Sequence, residues 1–329
     1  IEVGKMKDLV TKYFEDVPKP SNPRERVVYS LPNHSDTKIS SVSDEEAFVN
    51  TVQIMYKDLE DTTPMTTVGD YKSYLIDRLF SSMINARLDE LATSSKPPFL
   101  NAYSSYGDGF ARTKKMYSSN ATSTNKESLP TTIKAILTEN KRVSEHGFLQ
   151  SELDRAKQNI LTSLENQVKE KGKQNSGRLV SQYIRHFLQS EPIPGIEWEY
   201  QTAKNLFDEI KLEEVSSRIN DYVHPENMVV VVQQKEEEGE DIFGDESVLE
   251  IMKEVENAQV TAYQESELRN VLIEVIPEAG SIVSKDYDEK LDVTRLVLNN
   301  GVKVTYKQTD FKNDQILFSA YSKGGSSLL

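Results

Sequence analysis

The sequence predicts an α+β fold, a mostly antiparallel sheet with several helices packed on one face, running on into an incomplete second unit. Three observations carry this expectation. Segments within 26–58, 99–124 and 294–321 alternate apolar or aromatic residues with polar ones at a period of two, as strands with one buried face do. The run 143–171 sets Leu153, Ala156, Ile160, Leu161, Leu164 and Val168 at spacings of three and four, which puts them on one stripe of a helix. Met228–Val232 is a short unbroken apolar run, expected to be a strand buried on both faces. The order strand, helix, strands, helices, strand suits helices layered on one sheet.

Taken in order, residues 2–16 read as a short amphipathic helix, stopped by Pro18, Pro20 and Pro23. Strands are expected at Arg26–Leu31, Thr37–Val42 and Ala47–Asp58, the last by the period-two alternation of Val49, Thr51, Gln53 and Met55 with Asn50, Val52, Ile54 and Tyr56 and by its β-branched content. Thr67–Leu91 reads as a helix burying Tyr71, Tyr74, Leu75, Leu79, Met83, Ala86 and Leu91, and Pro97-Pro98 ends it. Two strands then meet at a turn near Gly107-Asp108-Gly109. Helices follow at about 128–145, 149–171, 175–189, 196–210 and 212–222, the second capped by Ser151 and entered through Gly147. Lys235–Glu246 carries seven acidic residues in twelve and reads as a solvated linker. Beyond it come a helical Val248–Val255, a strand-like Val271–Ile276 and a hairpin turning at Asn300-Gly301.

Composition excludes several functions. The 329 residues are 37% hydrophobic and 28% charged, and no apolar run approaches the roughly 20 residues of a membrane span. A net charge of -14 disfavours nucleic acid as a partner. With no cysteine, thiol catalysis, disulfides and Cys-based zinc sites are excluded. No leader peptide is legible at the start.

Several stretches together resemble the insulinase/pitrilysin-type zinc metalloproteases. They are Gly147 with Glu152-Leu153 and Ala156-Lys157; Leu296–Val304; Thr309–Asp314; Gly324-Gly325-Ser326-Ser327; and, at the start, Val3-Gly4-Lys5, Val10–Phe14 and Val17-Pro18. The resemblance implies that 1–23 is the closing helix of a preceding repeat with its connector. It makes 24–234 a non-catalytic peptidase-like repeat, 235–293 the bridge between two halves, and 294–329 the first strands of the next repeat. It also implies a parent enzyme that encloses peptides or unfolded polypeptides in a clamshell chamber. There zinc is held by two His and a distal Glu, with a second Glu as general base. Its partners would be the upstream zinc-binding repeat, the downstream half and the peptide substrate, and it leans towards a bacterial periplasm or envelope. The alternative is a metal-free scaffold of the same fold, like processing-peptidase partners and respiratory core subunits.

No catalytic or metal-ligating residue can be assigned. The family's H-x-x-E-H is absent, and His34, His146, His186 and His224 are too scattered for two to share a helical turn. Zinc is therefore expected in the parent protein and not in this chain. The acidic run lacks the ligand spacing of a calcium loop, and the glycines at 107, 109, 324 and 325 lack the strand and helix of a phosphate cradle. Arg178, Tyr183 and Arg185 could hold a peptide terminus, though a surface role is the simpler account. Tyr103, Tyr106, Phe110 and Tyr117, interleaved with Arg112, Lys114 and Lys115, could line a chamber for extended peptide, or form one face of an ordinary sheet.

Overall fold

A computed structural model describes residues 2–24, 27–109, 111, 113–236, 242–265, 273, 275–311 and 315–324. Its main body is a five-stranded sheet in the order β1 (Lys38–Asp44), β5 (Met228–Lys235), β2 (Asn50–Lys57), β4 (Lys115–Ser123), β3 (Asn101–Asp108). All neighbours are antiparallel except β1 and β5, which run parallel.

Register explains the core. Three rows cross the sheet on its helix-facing side: Met228, Tyr56, Tyr117 and Tyr106; Val230, Ile54, Ser119 and Ser104; Val232, Val52, Ala121 and Ala102. Tyr222 enters the tyrosine row from a helix, its ring stacked 4.3 Å from Tyr106 and 5.4 Å from Tyr117. The small residues at Ser104 and Ser119 let a helix approach closely, and their hydroxyls satisfy one another at 2.7 Å. β5 does not read as the sequence suggests. Met228, Val230, Val232 and Gln234 are buried while Val229 and Val231 are half-exposed, so the apolar run has one buried face, not two.

The helices α2 (Val68–Ala92), α3 (Leu129–His146), α4 (Gln150–Lys169), α6 (Ile196–Glu209), α7 (Leu212–Ser216) and α8 (Arg218–Tyr222) supply the other side of this core. In α2 the buried set is Tyr71, Leu75, Ile76, Leu79, Phe80, Met83, Ile84, Arg87 and Leu88. Tyr74 and Ala86, expected inside, face out, because the true stripe is centred about one residue away from the one expected. The α3–α4 elbow turns at Gly147, whose φ of 69° and Cβ position 3.1 Å from Ser216 Oγ admit only glycine comfortably. Ser151 does not cap α4. It lies in the first turn, and the orphan Leu149 N–H is instead taken by Glu152 Oε2 at 2.7 Å.

Other expectations shift similarly. Residues 27–31 form no strand; Tyr29 is 80% exposed, and the backbone there pairs with no neighbour of the sheet. Residues 25–26, the middle of the acidic run (237–241) and half of Val271–Ile276 lie outside the described residues. The helical stretch beyond the acidic run is real. α9 (Asp245–Asn257) packs on α3 and puts Val248, Ile251 and Val255 into the same core cluster. Ahead of the body, α1 (Val3–Phe14) buries no residue. α5 (Ser176–Gln189), between α4 and α6, buries none either. A separate antiparallel sheet, β6 (Ile282–Asp288), β7 (Val293–Leu298) and β8 (Lys303–Tyr306), follows, with the expected turn at Gly301 (φ 83°).

Candidate functional site

The outward stripe of α2 forms the floor of a groove of about 1750 Å³. Tyr71, Tyr74, Arg78, Ser81, Asn85 and Asp89 line it at helical spacing. From Tyr71 to Asp89 the helix rises about 27 Å, enough for roughly eight residues of extended peptide. One wall is the edge strand β3 with the extended stretch around Tyr29. The opposite wall comes from α4, the end of α5 and the first turn of α6, with Trp198 and Glu199.

α2 also seals the edge of the sheet. Asn85 Nδ2 donates to Ser104 O at 2.7 Å and Ser104 N donates to Asn85 Oδ1 at 2.8 Å, so a side-chain amide stands where another strand's peptide group would sit. The lining is acidic: Asp61, Asp70, Asp77, Asp89, Asp108, Glu191 and Glu199 against Arg78 and Lys115. Some of these charges are committed internally. Asp77 accepts a 2.5 Å hydrogen bond from the Tyr222 hydroxyl and lies 3.4 Å from Arg218; burial still raises its pKa, against the pull of those two partners. The Tyr106 hydroxyl donates to Asp58 at 2.6 Å, and burial followed by that carboxylate pushes its pKa up. Glu199 differs. Burial raises its pKa, Arg78 and Arg178 act on it only through space, and no described residue donates a hydrogen bond to its carboxylate.

Of the residues singled out in the sequence, Tyr103, Tyr106 and Lys115 reach this groove. Tyr117 does not: it is fully buried in the core, its hydroxyl donating to Asn140 at 2.9 Å and its pKa pushed up to about 12 by burial. Lys114 is also buried, its ammonium donating to Leu59 O at 2.5 Å. Phe110 and Arg112 lie outside the described residues. Arg178, Tyr183 and Arg185 do not converge: Arg178 donates to Gln167, Arg185 pairs with Glu191 at 2.8 Å, and Tyr183 is 59% exposed. Gly107 lines the groove, Gly109 sits beside the Met116 side chain, and Gly325 is outside the described residues. Trp198, Glu199, Asp77 and Asn85 carry no signal in the sequence, since it is the packing of α6 on α2, far apart in the chain, that brings these residues to one groove.

No family model matches the chain. It is 28% identical over 323 residues, 98% of its length, to the zinc protease PQQL-like protein of Arabidopsis thaliana. In sequence the chain is thus similar to zinc proteases, as the resemblance carried by its residues implies. The fold agrees with solved structures. The periplasmic protease PqqL from Escherichia coli superposes with a TM-score of 0.70 at 19% identity, over 94% of this chain and 34% of that one. A predicted insulinase family protease from Yersinia pestis gives 0.62 at 13% identity, over 78% and 54%. The chain spans 30% to 32% of the length of the curated zinc proteases it matches.

The family implies zinc, and the residues of this chain do not fit it. His34 Nδ1 sits 2.7 Å from Asp36 O, His146 Nε2 2.6 Å from Val260 O, and His186 Nδ1 2.7 Å from Glu191 O. His224 packs edge-on against Tyr56. Among the described residues no three His, Asp or Glu side chains come together as a metal-binding group.

Proposed function

We propose that this chain is a non-catalytic repeat of a two-half zinc metalloendopeptidase, forming part of the wall of a peptide-enclosing chamber and packing against a zinc-binding repeat upstream. On this reading 1–23 closes the preceding repeat, 24–234 is the wall repeat, 235–293 bridges to the second half and 294–329 begins it. One observation carries the reading. The chain aligns along nearly its whole length with zinc proteases about three times longer, yet contains no H-x-x-E-H. The groove along α2 is then the surface offered to unfolded polypeptide, with an aromatic and acidic lining that suits extended chains. An envelope location has as its support the description of the E. coli structure as a periplasmic protease.

The test is zinc content and hydrolysis together. The 329-residue chain is exposed to zinc, dialysed against metal-free buffer and assayed with fluorescein-labelled unfolded casein. Occupancy below a few per cent, with casein bound and left intact, is the expected result. Stoichiometric zinc that survives dialysis, with cleavage of casein, would overturn the proposal.

A further inference from the structure

Trp198 is the only tryptophan of the chain, and it stands 39% exposed on the groove wall. Its ring centroid lies 5.2 Å from that of Tyr71, tilted by 56°. Tyr74, one turn along α2 from Tyr71, lies 5.8 Å from it at 34° and is 43% exposed. Three rings therefore make a concave corner, with buried Tyr71 as floor and the other two as rims. The Tyr71 hydroxyl donates to Glu199 O at 3.5 Å, which ties the first turn of α6 to α2 and fixes the corner.

The corner has the chemistry of a cation site. Aromatic faces carry negative potential and attract ammonium or guanidinium groups, more strongly when these are desolvated. This one already shows the attraction, since the Arg78 guanidinium lies 5.8 Å over the Tyr74 ring. Beside the rings stands the Glu199 carboxylate, half-buried and without a hydrogen-bond donor among the described residues. A carboxylate in that state is costly unless a charge or donor completes it. The groove around it has more acid than base, so a ligand cation meets a favourable field on entry.

We propose that Tyr71, Tyr74, Trp198 and Glu199 form a pocket for the cationic side chain of a lysine or arginine carried by the polypeptide in the groove. The proposal rests on the groove being a polypeptide surface and adds which segments it favours. The ammonium or guanidinium sits between the rims with its charge towards Glu199, while the flanking residues run along the α2 stripe. Arg78 is the resident competitor, held nearby by Tyr74 and by the charge of Glu199.

The experiment titrates the 329-residue chain with a 12-residue Gly/Ser peptide carrying three lysines and with a twin in which glutamine replaces lysine. Trp198 emission reports directly on the pocket, and fluorescein anisotropy reports binding when the indole is removed. The lysine peptide is expected to bind at least about ten-fold more tightly and to change Trp198 emission. Because a chain of charge -14 attracts any cation, the decisive variants are W198A and Y74A, which leave the charge unchanged. Each is expected to reduce the lysine preference by about 2- to 30-fold, E199Q to reduce it further, and R78Q to strengthen it. A preference that survives W198A and Y74A intact would overturn the pocket. Equal binding of both peptides would overturn it too and leave the groove standing as a peptide surface. Failure of both peptides to bind would remove the groove reading and the pocket with it.

Discussion

Arg87 holds the α2–α3–α4 junction together from inside. Its guanidinium donates to Glu152 at 2.7 and 2.8 Å, to Glu139 at 3.1 Å and to the Gly147 carbonyl at 3.1 Å, while Phe148 and Tyr263 lie over its faces at 4.8 and 4.2 Å. All three charged side chains are buried, so truncating the cation leaves Glu152 with the Leu149 N–H and Glu139 with Arg142 alone. Arg87→Met should cost about 3–5 kcal/mol in urea unfolding, with the spectrum of the folded state preserved. A second residue-scale expectation concerns acid. Backbone N–H groups of Thr66 and Thr67, then the Thr67 hydroxyl, hold the Asp70 carboxyl below its ordinary value of 3.8. A depressed folded pKa contributes stability that is complete above the unfolded value and is lost as pH falls through the folded one. The urea midpoints of wild type and Asp70→Asn should therefore differ at pH 6 and converge as pH drops well below 3.8. Thr67→Ala, which removes both the cap and one of the donors to Asp70, should cost about 1 kcal/mol at pH 6 and less as pH drops well below 3.8.

At the scale of elements, what the sequence made legible depended on whether a segment's periodicity had a partner. Val52, Ile54 and Tyr56 alternate and pair on both sides, so β2 stands where the pattern puts it. Val27, Val28 and Tyr29 show a similar composition, but no strand among the described residues pairs with them, and they run exposed along the groove. In α2 the helix was plain, while its exact stripe was not: aromatic Tyr74 reads as core by composition, although it rims a groove. The candidate site was the least legible part, because Tyr71 and Tyr74 meet Trp198 and Glu199 only through tertiary packing of α2 on α6. α9 and α5 separate pattern from burial. Val248 of α9 is fully buried, so Val248→Ala should cost about 2 kcal/mol. In α5, Val180, Tyr183, Ile184 and Phe187 form an apolar stripe at helical spacing that stays exposed. Phe187→Ser should shift stability by no more than about 0.5 kcal/mol, as read from the same urea curves.

At the scale of the whole molecule, every buried side chain among the described residues lies between Val52 and Val255, and none belongs to β6, β7 or β8. Strand signals near Asn300 were clear because a tight turn and alternation are local, whereas the absence of a core beneath them is a property no local pattern carries. A three-stranded sheet with no buried face gains little hydrophobic stabilisation, so its hydrogen bonds open without disturbing the larger unit. Amide hydrogen exchange should then divide the chain. The amides of β2 and β4 should exchange only by global unfolding, while those of Thr294–Leu298 and Lys303–Tyr306 exchange by local opening at much lower free energy. A single cooperative unit would instead give both sheets the same protection and the same response to Val248→Ala. That substitution is expected to lower protection in β2 and β4 and leave β7 and β8 unmoved, because the mutated side chain belongs to the core of one sheet and not the other.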